Sequence, residues 1–475
     1  MAERDQTGAR KYRSSIGVEL EFLLCVAEAD QPYNVPDMFE TSKGAPYELP
    51  TGVPLRSEIN HMVNQTLGET IAYAIASHRG TRVIQSEDEA LSSSESFHLR
   101  PYSDWTVWSD LTVSLPHHQR AQRYMQEYRW YPVEIASPAF WATDESWEEI
   151  QAVVRAIRDD YWILTPPTAG LHYHYGNGKS YIPFGMLRRI AALTFAVDPI
   201  MVQLHPEHRR SNEWCLSNRL YSRVAHGRPA EVTARELCAD YVEEEPEFPG
   251  MRRLPNPVSR PFRRRTPNLI VPFKRGTLTG YEFDDLFFND SGFEDDIKKN
   301  TGRRGNPTPF EIPDAVREIL RCWNAPTVAE LMRYTSRDER PAYNFRAYEA
   351  GTYKQMIIEQ GEIYPLYQSK RTIEFRQMAS TMEPEEVVAH GKVIVRLCEF
   401  AAEADLEELW RVVLDCTVAE GNGDWFDVFD LLAELGLNSE ANVLQRSVAR
   451  FRGEPIPELI IDDGEEAQAA AKKTE

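Results

Sequence analysis

The sequence of 475 residues is first informative for what it has little of. Cysteine is sparse, and the six cysteines form no CxxC pair, which disfavours a zinc ribbon or a redox dithiol. Basic residues number 53 against 74 acidic ones, and the net charge of −21 disfavours nucleic acid as a partner. No apolar run approaches the about 20 residues of a membrane span, and the first 15 residues are polar, without a signal-peptide core. We therefore expect a cytoplasmic protein that binds neither nucleic acid nor membranes.

The common nucleotide-binding loops are also missing. The sequence has no GxxxxGK[ST] loop and no protein-kinase motif set, which excludes those ATP folds. Its composition is otherwise that of an ordinary globular protein, 42% hydrophobic and 27% charged, which is enough for a sizeable core. Any catalytic or binding site must therefore be formed by individual side chains that the folded core brings together.

Hydrophobic periodicity divides the chain into regions of different character. Short strand patterns alternate with helical ones over residues 14–380, and helical patterns dominate over 381–462. The first region contains an insertion at about 240–310 that is rich in proline and arginine. The polar segments 1–13 and 463–475 are predicted to be disordered tails.

The strand patterns each have one apolar and one polar face. That alternation is typical of an antiparallel sheet with one face open to a cleft, and not of a parallel sheet covered on both sides. The sequence therefore predicts an α+β fold: an antiparallel sheet flanked by helices, followed by a helical C-terminal region.

The first strand pattern, GVELEF, places two acids on one face. Side chains two residues apart in a strand point the same way, so Glu19 and Glu21 are neighbours. Adjacent carboxylates repel unless a cation or a shared proton relieves them. Either this strand face is solvated or it binds a metal ion.

Two further strand patterns raise similar pairs of interpretations. In GLHYHYG, His172 and His174 share a face, and either they reach a common ion or they are hydrogen-bonded residues of an aromatic-rich core strand. In TIEFRQ, Glu374 and Arg376 share a face. They either pair with each other or divide the work of binding metal and phosphate.

Single acids add to this set. Glu134 lies in the strand pattern PVEIASP, and Asp110 lies in the alternating segment that starts at Trp105. Carboxylate and imidazole ligands together suit Mg²⁺ or Mn²⁺ better than a soft thiolate metal. The arginine candidates for phosphate are Arg188, Arg189, Arg209, Arg210, Arg346 and Arg376. Divalent ions with arginines are what phosphoryl transfer from a nucleotide requires.

The order of the motifs resembles that of the amidoligase family of the carboxylate–amine ligases, in the glutamine-synthetase-like superfamily. The matching pieces are GVELEF (17–22), WTVWSDLTVS (105–114), PVEIASP (132–138), TAGLHYHYG (168–176), RRSN (209–212), YNFR (343–346) and TIEFRQ (372–377). The resemblance implies a sheet shaped as a half-open funnel, which ATP enters at one end and the other substrates at the other. It also implies two or three Mg²⁺ or Mn²⁺ ions bound on the sheet.

The resemblance also implies residue roles. The implied metal ligands are Glu19, Glu21, Glu134, His172 and Glu374, while a metal role for His174 stays open. Arg376 would contact the transferring phosphoryl group, and Asp110 would bind either metal or the amine. The implied contacts to nucleotide or substrate are Arg210, Asn344 and Arg346.

Three hypotheses for function follow. The first is an ATP-dependent ligase that joins a small carboxylate to a small amine through an acyl phosphate and releases ADP and phosphate. The second is another metal-dependent enzyme, a phosphotransferase or hydrolase acting on a small carboxylate or guanidino compound. The third is a non-catalytic binding protein with the same fold. The sequence leaves the two substrates and the oligomeric state open.

Overall fold

The computed structural model describes fourteen stretches of the chain, from Arg13 to Pro455. They are residues 13–28, 35–36, 39, 42–50, 56–76, 83–84, 104–115, 128–178, 180–210, 214–242, 311–333, 340–349, 371–421 and 426–455. Both predicted tails, apart from Arg13, and residues 243–310 of the predicted insertion lie outside these stretches.

Ten strands of the described chain form one sheet. They are β1 (Ser15–Glu28), β2 (Tyr47–Leu49), β3 (Val83–Ile84), β4 (Trp105–Trp108), β5 (Arg129–Ala136), β6 (Phe140–Trp141), β7 (Ile163–Leu164), β8 (Gly170–Gly176), β9 (Tyr343–Asn344) and β10 (Ile373–Ala379). The main path runs β3-β4-β5-β1-β8-β10-β9, while β2, β6 and β7 pair with β1. Only the β1–β2 and β3–β4 pairs of these strands are parallel. The predicted large antiparallel sheet is therefore confirmed; the funnel stays a prediction.

The described chain also has twelve α-helices, most of which pack in one core with the apolar face of the sheet. They are α1 (Arg56–Ala76), α2 (Asp144–Asp160), α3 (Phe184–Met201), α4 (Glu207–Arg210), α5 (Asn218–Tyr221), α6 (Ala230–Val242), α7 (Ile312–Arg321), α8 (Ala325–Met332), α9 (Pro384–Glu403), α10 (Leu406–Gly421), α11 (Val428–Glu434) and α12 (Asn438–Arg452). Helix α2 shows why they pack there: Ile150, Val153 and Ile157 recur at three- and four-residue spacing, and all are fully buried.

Alternation along the strands divides the sheet into two faces. The apolar face contains Val18, Leu20, Phe22, Leu171, Tyr173 and Phe375, all of which belong to the main hydrophobic core. The polar face contains Glu19, Glu21, Glu134, His172, His174, Glu374 and Arg376. Because side chains alternate along a strand, burying one set against the helices presents the other set together on the opposite side.

The C-terminal helices belong to the same core as the sheet. Helix α9 lies against β8, where the Tyr173 hydroxyl donates to the Val387 carbonyl. A Cβ at Gly391 would lie 2.7 Å from the Trp147 ring and 3.0 Å from the Tyr173 ring, so only glycine permits this close approach. The change near residue 380 is thus a change from strands to helices within one core.

One strand is shorter than its pattern. Alternation predicts a strand from Trp105 to Leu115, but β4 ends at Trp108. The reason is a local turn: the Asp110 side chain accepts a hydrogen bond of 2.8 Å from the Thr112 amide, and the Asp110 carbonyl accepts one from Val113. An aspartate whose side chain accepts a hydrogen bond from the backbone amide two residues later favours a turn, so the strand does not continue.

Candidate active site

The register of β1 brings acids and a histidine of three strands together on the polar face. Glu21 lies directly opposite Glu134 of β5, and Glu19 lies directly opposite His172 of β8. Directly opposite side chains on one face have Cβ atoms about 5 Å apart. Pairing alone therefore makes these four side chains neighbours.

Strand β10 extends the polar row on the other side of β8. Glu374 pairs with His174 of β8 and with Asn344 of β9. The Asn344 amide nitrogen donates to Glu374 Oε2 at 2.8 Å. The sheet thus collects residues that are more than 300 positions apart in the chain.

The first group of possible metal ligands is Glu19, His174 and Glu374. Each offers one ligand atom, and these atoms lie within 4.8 Å of one another. His174 Nε2 is 2.9 Å from Glu19 Oε1, and its other ring nitrogen is 3.1 Å from the Thr372 hydroxyl. A second partner of this kind fixes the orientation of a metal-binding imidazole.

The second group consists of carboxylates alone: Glu21, Asp110 and Glu134. Their ligand atoms also lie within 4.8 Å of one another. Glu21 is buried, and its Oε2 atom accepts a hydrogen bond of 2.7 Å from the Gly170 amide. The turn that ends β4 turns Asp110 towards this group. Three carboxylates so close repel one another unless a cation or a proton is shared among them.

His172 lies between the two groups. Its Nδ1 atom is 3.5 Å from Glu19 Oε2 and 3.3 Å from Glu21 Oε1. The compact first group thus contains His174, whose role the sequence left open, while His172 bridges the glutamates of β1. Spacing alone could not distinguish the two histidines, because both lie on the polar face.

Arg376 contacts the first group directly. It forms an ion pair with Glu374, and its Nε atom donates to the Trp214 carbonyl at 3.2 Å. Burial lowers the pKa of Arg376, but the carboxylates of Glu374, Glu21 and Glu19 outweigh it, so the pKa lies above its ordinary value. Arg376 is therefore a permanent cation that faces acids of both groups.

Of the residues predicted to contact nucleotide or substrate, only some can be located relative to the site. Asn344 lies at the edge of the first group, and its side-chain oxygen accepts from the amide of the exposed Arg346 at 2.9 Å. The side chain of Arg210 lies outside the described part of the structure. Helix α3 directs Arg188 and Arg189 to backbone carbonyls at the ends of other helices, away from the polar face.

Strand β10 has an irregularity that its alternation does not predict. Phe375 pairs with Tyr173 and Met378 pairs with Leu171, so Arg376 and Gln377 together lie opposite the single residue His172. This is a β-bulge, a feature that often lies beside active sites. It depends on the pairing of two strands, which the pattern of one strand does not reveal.

The donors of the two groups fit a hard divalent cation. Carboxylate oxygens dominate, one imidazole joins them, and no described cysteine lies among them. Mg²⁺ and Mn²⁺ prefer such ligands. Cys25, on the same strand as Glu19, is buried among apolar and aromatic side chains, and that burial raises the pKa of its thiol to about 12.

Comparison with known proteins found one family that matches part of the chain. Among the described helices, none is long and apolar enough to cross a membrane. No curated protein and no solved structure matches the chain. A family model described as "Putative amidoligase enzyme" matches residues 13–249, which include the strands of Glu19, Glu134 and His172. Over residues 13–249, the chain therefore matches this amidoligase family.

Proposed function

We propose that the protein is an ATP-dependent carboxylate–amine ligase that forms an amide through an acyl phosphate and releases ADP and phosphate. The observation that supports this proposal best is the pair of ligand groups on one sheet face, with Arg376 facing both. Two cation sites beside a fixed guanidinium match the charge of a nucleotide triphosphate, whose phosphates must be neutralised before one is transferred.

The chemistry requires an activated acid. A carboxylate oxygen attacks the γ-phosphorus of ATP, the bond to the β-phosphate oxygen breaks, and ADP leaves. The amine nitrogen then attacks the acyl carbon, the carbon–oxygen bond to phosphate breaks, and the amine gives up a proton. Phosphate is a far better leaving group than the oxide of a free carboxylate, which is why the first step makes the second one feasible.

Arg376 is the residue we assign to the transferring phosphoryl group. Its planar fork can hold two phosphate oxygens, and its raised pKa keeps it charged throughout the working pH range. Divalent ions at the two groups would, when bound, spread the charge that develops on the phosphate oxygens. Glu374, which now pairs with Arg376, is the acid that joins the arginine to the first group.

An apolar wall borders the second group. Leu23 follows Glu21 on the same side of β1, and it packs with Val113 and Leu115 just beyond the turn at Asp110. All three are buried. A wall of this kind keeps water from one side of the site, and an acyl phosphate must be protected from water until the amine arrives.

The decisive experiment is a screen of ATP turnover with Mg²⁺ against a panel of small carboxylates and amines. We expect ADP and phosphate to appear only when both an acid and an amine are present. Turnover without an amine would indicate a phosphotransferase or hydrolase instead. AMP and pyrophosphate as products would contradict the acyl-phosphate route.

Glu134→Gln and Glu148→Gln make a matched pair for the same assay. Glu134 belongs to the second ligand group, whereas Glu148 is exposed on helix α2. Ligands that bind only the folded state raise the melting temperature. We therefore expect Mg²⁺ with ATP to stabilise the wild type and Glu148→Gln, and to stabilise Glu134→Gln much less. Equal stabilisation of all three would remove Glu134 from the site.

A further inference from the structure

The bulge in β10 solves a packing conflict. Phe375 and Met378 are three positions apart, and both are buried in the main core on the apolar face. Regular alternation would place them on opposite faces, because residues share a face only at even spacing. The extra residue between them lets Arg376 face the polar side while Met378 still packs inside.

Arg209 holds the backbone of this bulge. The side chain belongs to helix α4 and is 1% exposed. Its Nη2 atom donates to the Arg376 carbonyl at 2.5 Å, and its Nε atom lies 3.4 Å from the Gln377 carbonyl. A bulge disrupts the ladder of hydrogen bonds locally. Arg209 provides donors to the carbonyls of both bulge residues.

The second bulge residue is fixed from the apolar side. Gln377 donates to the buried Asp198 at 2.5 Å and accepts a hydrogen bond of 2.9 Å from the Tyr343 hydroxyl. Arg376 and Gln377 therefore point to opposite faces, and each has a defined set of partners. Arg209 therefore binds the backbone carbonyls of these two residues and not their side chains.

Arg209 also lies close to the site from the side of β8. A Cβ at Gly170 would lie 3.1 Å from Arg209 Nη2 and 2.4 Å from His172 Nε2. The guanidinium thus lies beside His172, close to the bulge that interrupts the pairing of β8 with β10. Burying a guanidinium is energetically costly, so a buried guanidinium that binds backbone carbonyls indicates that the geometry of this backbone must be fixed.

We propose that Arg209 is a positioning residue of the reaction. It holds the carbonyls of the bulge and thereby fixes the direction of the Arg376 guanidinium towards the two ligand groups. This inference rests on the proposed function, in which Arg376 contacts the transferring phosphoryl group. Arg209 itself contacts no reacting atom. Its effect on the rate passes through Arg376 alone.

The matched test compares Arg209→Lys with Arg189→Lys. Arg189 makes the same kind of fork, with Nε donating to the Ala401 carbonyl at 2.6 Å and Nη2 to the Ala404 carbonyl, but at the end of helix α9. Lysine retains the charge and loses the fork in both variants. We expect similar losses of melting temperature, with at least about a tenfold loss of kcat for amine-dependent ADP release in Arg209→Lys only. The KM for ATP should change little.

A double variant separates positioning from general destabilisation. If Arg209 acts through Arg376, adding Arg209→Lys to Arg376→Lys should cost little further kcat, because the group that it positions is already gone. Additive losses would overturn the proposal, and so would equal kcat values for Arg209→Lys and Arg189→Lys. Should Arg209→Lys fail to fold, Arg209→Gln removes the buried charge, keeps an amide donor and serves in the same comparisons.

Hydrogen exchange gives a measurement that does not depend on catalysis. We expect Arg209→Lys to speed amide exchange in the peptide that spans Ile373–Ala379, and Arg189→Lys to leave it unchanged. Unchanged exchange in Arg209→Lys would overturn the proposal even if the wild type proved inactive with every substrate pair. An inactive wild type with faster exchange in Arg209→Lys would instead refute the proposed function and keep the structural half of the inference.

Discussion

The two faces of the same strands differ in chemistry far more than in exposure. On the apolar face Leu20 and Tyr173 are no more than 1% exposed, yet on the polar face Glu19 and His172 are only 7% and 3% exposed. At these positions both faces are thus buried, and what differs is how the buried groups are stabilised. Apolar side chains need only contact, whereas the buried charges must be balanced by one another, by protons or by a cation. Substitutions on the polar face should therefore be detected mainly in the catalytic rate, and substitutions on the apolar face mainly in the stability.

The largest effect is expected on the polar face, from Arg376→Lys and Arg376→Ala. Removing a group that contacts developing charge costs about a hundredfold to a thousandfold in rate. Lysine should fail almost as badly as alanine, because the planar fork is lost in both. The measurement is amine-dependent ADP release together with melting curves.

Arg129→Lys is the control for this pair. Arg129 is exposed on β5 and pairs with Glu28 at 2.7 Å, so its rate should match the wild type. Near-normal ADP release by Arg376→Lys would show that Arg376 only pairs with Glu374, and would weaken the contrast between the faces.

The next largest effect concerns pH on the apolar face. His390 of helix α9 is buried against the ring of His205, and burial lowers the pKa of His390 to about 4. Below pH 6.5 the unfolded chain takes up a proton at His390, whereas the folded protein does so only near pH 4. The stability that is present above pH 6.5 is therefore lost as the pH falls towards 4. A shift of that size corresponds to about 3 kcal/mol in the free energy of unfolding.

His390→Gln should therefore lose less stability than the wild type between pH 7 and pH 4. Chemical unfolding at several pH values gives the comparison. His208 needs the same measurement as a control, since burial also lowers its pKa to about 4. If the wild type and His390→Gln lose stability in parallel, the neutral buried His390 does not contribute to acid sensitivity.

Gly170→Ala tests the polar face without altering a charged residue. The new Cβ would lie 2.4 Å from His172 Nε2, and the imidazole would have to shift from its present position beside Glu19 and Glu21. A misplacement of about 1 Å can cost about a hundredfold in rate. We expect a large loss of kcat with a small change in melting temperature. A stable variant with normal kcat would show that the position of His172 does not matter.

Gly391→Ala is the counterpart on the apolar face and should have the smallest effect. Its Cβ would press on the rings of Trp147 and Tyr173, and overpacking a core costs about 2 kcal/mol. We expect a lower melting temperature and an unchanged kcat per folded molecule. A loss of kcat without a loss of stability would mean that the two faces are coupled through Tyr173.

Local alternation explains how much of this arrangement could be predicted. The strand Gly170–Gly176 and the shared face of Glu19 and Glu21 follow from a period of two, which one stretch of sequence shows by itself. The meeting of Glu21 with Asp110, and of Glu19 with Glu374, depends on strand pairing across long separations. That pairing is set by the whole core, so only the resemblance to a family pointed to it.

Other features escaped prediction because they are exceptions to periodicity. The turn at Asp110 ends a strand that alternation would continue, and the bulge at Arg376 and Gln377 shifts a strand by one residue. Arg209 is one of the arginine candidates for phosphate, chosen because it lies between the strand patterns that supply the acids. In the structure it is buried and donates to the carbonyls of Arg376 and Gln377, and neither contact can be deduced from its neighbours in sequence.

The position of β10 in the sheet has a consequence for the synthesis of the protein. β10 completes the edge of β8, yet about 200 residues separate the end of β8 at Gly176 from the start of β10 at Ile373. At a ribosomal rate of 5–20 residues per second, this interval lasts about 10 to 40 s. Throughout it, the nascent chain exposes an unpaired strand edge that contains Leu171, Tyr173 and Tyr175, the kind of edge that invites wrong pairing. The yield of active protein should therefore depend on protection of this edge during translation, and not only on the stability of the finished fold.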